Sequence, residues 1–575
     1  MRQFSRAYII ATPGTNTAKD RILFVNSDLQ SGDTAVRRGV LERLEQLYPG
    51  LYNEANFALV GTHSHAGVGG FLNNLLPQLT SLGFVKQTYD AIVNGTVLAV
   101  QRAHDSLALG TLSIGNTTVL DTNINRSPFA YEANPAEERA KYKYDQDKEL
   151  HLLKFKATNG TDRGFLSFFP VHGTSLYENN TLVSTDNKGM AAYLYEAYAQ
   201  PNALPGKNTF IAGFVQANVG DTSPNTLGAY CESPGQPWDG QPCEYERSTC
   251  GNRTQDCHGR GPGFRVSDFE SNLIIGTNQF NGAVTSPPSE AQKACHYPKP
   301  ILLNTGYANT PYPWQPSIVD IQMFRIGQVV ILIFPGELTT MAGRRLREAV
   351  RAKLVSSGAI GSNAYIVVAG PANTYAHYVT TREEYSIQRY EGASTIYGPF
   401  TLEAYTDLFT KYAPFLADSA TGAPPAGPTP EDLTKKAISL QTGVVFDASP
   451  IGKSFGSVLT DVSTSTPYKR GQTVTAVFQG ANPRNNLRLE GTFMTVDQLI
   501  AGTWTTVRTD SHPSTKFGWL RTNSALGYST VTANWTIEST TPAGSYRIIY
   551  NGNNKPLIGS IGSFTGMSST FAVSV

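Results

Sequence analysis

The sequence predicts an α/β (α+β) catalytic domain with mixed β-sheets, followed by a C-terminal immunoglobulin-like β-sandwich. Three observations carry this expectation. From residue 7 to about residue 417, short apolar runs alternate with helical patterns, the texture of α/β or α+β domains. Residues 418–432 are rich in Ala, Pro, Gly and Thr and read as a linker. Beyond them, apolar and polar residues alternate at short spacing between turn residues, as in a β-sandwich. The expected boundaries are 1–417, 418–432 and 433–575.

Within the first region, RILFVNSDL and FALVGTHSHAG read as strands, with the amphipathic helix TAVRRGVLERLEQLY between them. GFLSFFPVHG, TFIAGFVQANVG, QVVILIFPGE and AYIVVAG are further strands that end in polar or glycine-rich turns, where chemistry usually sits. MAGRRLREAVRAKL is a helix. In the last region TVTAVFQG, STVTANWTIES, GSYRIIYNG and STFAVSV show the two-residue period of half-buried strands. That region holds a single histidine, His512, and no cysteine, which directs attention to the first.

Composition excludes several classes. A chain of 575 residues exceeds one compact core. Its longest apolar runs, such as Gln328–Phe334, have strand length rather than the ~20 residues of a membrane span. A formal net charge of +1 gives no global field toward nucleic acid or an anionic membrane. Charged residues are 16%, below the roughly 25% of ordinary soluble domains, and Ser, Thr, Asn and Gly replace them. Sequons at Asn94, Asn116, Asn125, Asn159, Asn179, Asn252 and Asn534 point to the secretory route, although Pro128 weakens the one at Asn125. Four cysteines, Cys231, Cys243, Cys250 and Cys257, crowd one Gly/Pro-rich stretch; they permit three disulfide pairings or a second metal site. Cys295 is left over as a free thiol. MRQFSRAYIIATPG carries no leader pattern and reads as the middle of a strand, so the expectation is a chain lacking a leader and some early strands.

Several residues suit chemistry. His63 and His65, at the end of FALVG, share one face if the segment is extended, which starts a zinc site or marks two surface histidines. His172 ends the strand SFFPV, as a ligand or a structural residue. Glu337, between a strand and a helix, either favours the helix N-terminus or completes a His/His/Glu set with an open position. Ser223 in GDTSPN suits a nucleophile, a substrate-binding hydroxyl or a turn. Tyr375, Tyr378, Tyr385, Tyr390 and Tyr397 form a tyrosine-rich stretch, either as packing or as phenols that beside a metal can ligate it or steady an oxyanion. Arg126 in NINRSP is a solvated loop arginine or a charge suited to an anionic intermediate.

The segments THSHAG, NINRSP, VHGTS with DNKG, GDTSPN, PGELTTMAGRRLREAV and HYVTTREEYSIQRYEGASTIYGP resemble, in order, those of neutral ceramidases, and the resemblance spans nearly the whole chain. It implies zinc-dependent hydrolysis of the amide bond of ceramide (N-acylsphingosine), met at a membrane or micelle surface, by a secreted or cell-surface protein. One Zn2+ per chain would be held at His63, His172, Glu337 and Tyr378. The matching catalytic positions are Ser223, His65, Arg126 and Tyr390. The implied disulfides are Cys231–Cys250 and Cys243–Cys257. A calcium site of some members corresponds to Asp510-Ser511-His512-Pro513-Ser514-Thr515, where His512 replaces an oxygen ligand that a hard cation prefers. Another N-acyl lipid or peptide as substrate, or an inactive sphingolipid-binding homologue, remains the alternative.

Overall fold

Strand Val329–Ile333 reads VVILI, and all of it is buried, the pattern of a strand covered on both faces. A computed structural model describes residues 1–285, 305 and 308–574, and Cys295 lies outside them. Val329–Ile333 runs parallel to Tyr365–Ala369 and antiparallel to Gln322–Ile326. A second three-stranded sheet orders Ser5–Ala11, Arg21–Ser27 and Phe57–Gly61, the last pair parallel. A four-stranded sheet orders Gly110–Thr118, Glu149–Ala157, Asp162–Phe168 and Ile211–Val215, again with its last pair parallel.

The inner faces of the three sheets meet in one core. Phe24 and Val60 come from one sheet, Leu166, Phe168 and Val215 from the next, and Ile331, Ile333 and Val367 from the third. Each outer face is closed by a pair of helices. Thr34–Leu47 and Lys86–Asp105 cover the first, Asp186–Ala199 and Asp268–Thr285 the second, and Thr340–Ser356 and Thr401–Tyr412 the third. Apolar residues spaced by four, such as Val36, Val40 and Leu44, or Leu346, Val350 and Leu354, make these faces. Full burial of each such side chain contributes about 1.5–3 kcal/mol. Asp33 starts one helix by accepting from the N–H groups of Ala35 and Val36, and Thr339 starts another by accepting from Ala342.

The polar loops that follow the parallel strands meet beyond the carboxyl ends of those strands, where α/β sheets bind ligands. Gln216 Nε2 donates to Thr62 O at 3.0 Å, Gly61 N to Pro371 O at 3.2 Å and Gly220 N to Leu338 O at 2.8 Å. One local expectation is corrected here. FALVGTHSHAG is not extended throughout: the strand ends at Gly61, and His63 has φ 65°. Leu29 O takes the His63 N–H at 2.9 Å and Gln30 O takes its ring, so the chain leaves the sheet to reach them.

After residue 441 the chain forms two antiparallel sheets around one core. Val474, Phe478, Val531 and Trp535 face Val496, Ile548, Tyr550 and Phe571. The stretch before them is exposed at 418–429 and then pinned to the first domain. There Asn73 Nδ2 donates to Glu431 O, its Oδ1 accepts from Leu433 N, and Phe84 N donates to Ile438 O. Arg102 and Lys207 both reach Glu490 across the same boundary.

Ile331 touches the core shared by all three sheets, so Ile331→Ala should lower unfolding free energy in urea by about 2–5 kcal/mol.

Candidate metal centre

Each side chain of the centre arrives on a different loop, and backbone pairing sets their mutual positions. Glu337 and Tyr378 are register partners in two short parallel strands, Glu337–Leu338 and Tyr378–Val379, so their side chains leave on the same side. His65 N donates to Gly173 O at 2.9 Å, and Ser64 bridges Gly173, which ties the His63–His65 turn to the loop bearing His172. Asn187, in the first turn of Asp186–Ala199, donates to His172 O at 2.8 Å.

The imidazoles are oriented by backbone carbonyls. His63 Nδ1–H donates to Gln30 O at 2.7 Å, and His172 Nδ1–H donates to Thr222 O at 2.8 Å. A carbonyl only accepts, so each ring presents the lone pair of Nε2 inward when neutral. Burial pushes His172 down to about 4, so it is neutral at pH 7. Both Nε2 atoms face Glu337 Oε2, at 3.2 Å from His63 and 3.1 Å from His172. Burial alone would raise the Glu337 carboxyl, but its histidine neighbours hold it well below the usual carboxylate range, and it is ionised. Its Oε1 accepts from Tyr375 Oη at 2.7 Å, while Oε2 is buried with no donor.

An anionic oxygen and two ring lone pairs at this separation repel one another unless a cation lies among them. Two imidazole nitrogens and a carboxylate, with Tyr378 Oη 3.4 Å from His172 Nε2, form an N/O donor set suited to a borderline divalent metal. His65 stands on the solvent side, exposed, with its Nε2 3.1 Å from that of His63.

Beside this set lies a cation fixed by protein. Arg126 donates through Nη2 to Tyr378 Oη at 3.2 Å and to Gly220 O at 2.9 Å, and through Nε to the buried Glu391 at 2.8 Å. The other Glu391 oxygen accepts from Ser127 Oγ at 2.6 Å. Tyr390 is 62% exposed; Arg126 lies under its ring and Tyr378 packs edge-on to it, with centroids 5.4 Å apart. Ser223 is buried on the short strand Thr222–Ser223, which pairs with Ile124–Asn125 just before Arg126. Its Oγ accepts from Asn225 N at 3.1 Å.

All eight candidate residues therefore belong to one connected assembly, six through side-chain polar contacts, Tyr390 through ring contacts and Ser223 through Thr222. Sequence reading offered Tyr375 as a ligand or oxyanion donor, whereas its hydroxyl holds Glu337, and it missed Glu391, Gln30 and Thr222. The carbonyls of Gln30 and Thr222 leave no trace in side-chain chemistry. Glu391 follows Tyr390 directly, and a carboxylate beside a candidate tyrosine was the available signal.

The structure decides several remaining expectations. The disulfides Cys231–Cys250 and Cys243–Cys257 are both formed, which consumes the thiols a second metal would need. The Asn116 and Asn125 sequons are buried, and Asn125 Nδ2 donates to Asp221, so neither serves as a glycan acceptor in the folded protein. Asn159, Asn179 and Asn252 are exposed. Asp510 is held by the Arg2 guanidinium, and His512 Nδ1 accepts from Thr509 N, a donor set unsuited to calcium. Among the described residues, no helix is long and apolar enough to cross a membrane.

Comparison with known proteins identifies the family. Residues 1–286 and 281–407 match a family model described as neutral/alkaline non-lysosomal ceramidase, N-terminal, and residues 409–573 match its C-terminal counterpart. The chain is 37% identical over 706 aligned residues to neutral ceramidase 2 of Arabidopsis thaliana, covering 99% of this chain and 92% of that protein. A solved neutral ceramidase from Pseudomonas aeruginosa superposes with a TM-score of 0.84 at 33% identity, covering 100% of this chain and 94% of that one. A structure described as a ceramidase complexed with C2 superposes at 0.83 and 32% identity, with the same coverages.

Two predictions follow from the geometry. Elemental analysis of purified protein should find one divalent metal per chain, lost in Glu337→Gln, and Tyr375→Phe should weaken metal affinity about 10–100-fold. In metal-free protein, His172 resists protonation down to about pH 4, whereas the unfolded chain takes up that proton near 6.5. The unfolded state thus binds more protons in that window, and stability should fall as pH drops from about 6.5 to about 4, read from urea midpoints.

Proposed function

Because this chain belongs to the neutral/alkaline non-lysosomal ceramidase family, we propose that it loads one zinc ion at His63, His172, Glu337 and Tyr378 to hydrolyse the amide bond of ceramide. The chain is a ceramide amidohydrolase, releasing sphingosine and a fatty acid. The observation that carries the metal is the donorless, buried Glu337 Oε2 facing two ring lone pairs.

When bound, zinc supplies Lewis acidity toward the amide carbonyl and acidifies a water for attack. The protein's own groups do the rest. Carbonyls of Gln30 and Thr222 fix the tautomers of His63 and His172, and Tyr375 holds Glu337 through its second oxygen. Arg126, clamped by Glu391, meets the oxyanion as the carbonyl becomes tetrahedral, with Tyr390 beside it. His65, neutral at rest because desolvation and its histidine neighbours hold its pKa well down, takes a proton from the attacking water and passes it to the sphingoid amine as the C–N bond breaks. Among the described residues Ser223 Oγ has no histidine partner, so we assign it to orienting substrate rather than to covalent attack.

Two disulfides and three exposed sequons support a secreted or cell-surface protein. We take residues 1–417 as the catalytic domain, 418–432 as a linker and 433–575 as an immunoglobulin-like sandwich, a reading supported by the two antiparallel sheets around Trp535.

Fatty-acid release from labelled ceramide should stop on chelation and return with zinc, and His63→Ala should abolish it. Turnover that survives in metal-free protein contradicts the assignment. Arg126→Ala should lower kcat about 10²–10³-fold. Glu391→Gln should lower kcat in the native protein but add nothing in the Arg126→Ala background, because it acts through Arg126.

A further inference from the structure

Two loops of the C-terminal domain, 448–455 and 556–561, lie side by side because they share anchors at both ends. At one end Asp447 N donates to Lys555 O, and the buried Asp447 carboxylate accepts from Lys555 N at 3.2 Å. At the other end Phe455 stacks on Phe564 with ring centroids 5.2 Å apart. A third loop joins them, since Ala448 N donates to Gly527 O and Arg521 pairs with Asp447 at 3.2 Å.

Between these anchors the loops present bare aliphatic side chains. Ile451 is 103% exposed, Ile558 90%, Leu557 72% and, on the third loop, Leu526 50%. Isolated exposed aliphatics are ordinary; four raised on adjacent, stapled loops are not. The surrounding chemistry selects the occupant. SPIGKSF and KPLIGSIGS carry Lys453 and Lys555 and no carboxylate, and the other residues are mostly Gly, Ser and Pro. The two aromatic rings here, Phe455 and Phe564, stack on each other, and the exposed tips are all aliphatic, which offers little to a specific protein partner whose interface would be enriched in aromatics and arginine. Aliphatic tips beside the exposed Lys453, with Lys555 turned back to the Val444 carbonyl, fit a lipid surface, where the tips enter the acyl boundary and the Lys453 ammonium remains among phosphates.

We propose that the loops 448–455 and 556–561, with Leu526, dock the protein on the surface of a lipid bilayer. The proposal deepens the ceramide reading, since it supplies the means by which a protein with no membrane-spanning helix among its described residues stays beside a substrate held in a bilayer. The loops themselves need no catalysis to bind.

The test compares native protein with the triple variant Ile451→Ser/Leu557→Ser/Ile558→Ser, whose changes lie wholly on the surface. Both are sedimented with phosphatidylcholine vesicles, with and without phosphatidylserine, and both are assayed on short-chain ceramide in solution and on long-chain ceramide in vesicles. The expected result is vesicle partition at least about tenfold weaker in the variant. Long-chain turnover in vesicles should fall with it, and turnover of the soluble substrate should stay unchanged. Lys453→Gln should weaken binding only to vesicles that contain phosphatidylserine. Equal partition of the two proteins, absence of native binding to either vesicle, or native self-association that the variant lacks would each overturn the proposal, the last in favour of a second copy of the chain. Loss of soluble turnover in both proteins would instead count against the reaction, and the sedimentation arm would still decide the docking surface.

Discussion

Two imidazole Nε2 atoms and an ionised carboxylate oxygen converge at about 3 Å among buried side chains. A cation among these atoms offsets both the repulsion and the desolvation of the cluster. Every nearby contact keeps the lone pairs aimed inward. The carbonyls of Gln30 and Thr222 take the outer ring protons, and Tyr375 occupies the far oxygen of Glu337. Sequence segments separated by more than a hundred residues are arranged to satisfy one atom, Glu337 Oε2.

The three-sheet core makes that arrangement possible. Its parallel strands are buried on both faces, so their ends are fixed to within the packing tolerance of the interior. The loops that leave them are tied crosswise by Gln216 to Thr62, Gly61 to Pro371 and Gly220 to Leu338. The guanidinium of Arg126 follows the same logic on a smaller scale. Glu391 offsets its charge and orients it, and Gly220 O and Tyr378 Oη accept two more of its N–H groups. A mobile arginine would reorganise as charge develops on the carbonyl; this one is already in place.

Much of this was legible in the amino-acid order. The all-apolar VVILI, the spacing of Leu346, Val350 and Leu354, and the alternation in TVTAVFQG gave strands and helices within a few residues of their observed bounds, because burial pattern dictates them. His63 and His65 were found for a partly wrong reason. Extended backbone does not align them; a left-handed turn at His63 does, imposed by Leu29 and Gln30. Contacts to backbone carbonyls, and the closure of Glu391 on Arg126 across 265 positions, depend on tertiary approach and leave no local period. Burial of Asn116 and Asn125 was hidden for the same reason, since a sequon specifies an acceptor without its exposure.

The most direct measurement is anomalous diffraction from crystals of the purified protein at energies either side of the zinc absorption edge. The account predicts one anomalous peak per chain that disappears below the edge and is enclosed by His63 Nε2, His172 Nε2 and Glu337 Oε2. No peak in active crystals, or a peak ligated by other residues, would contradict it.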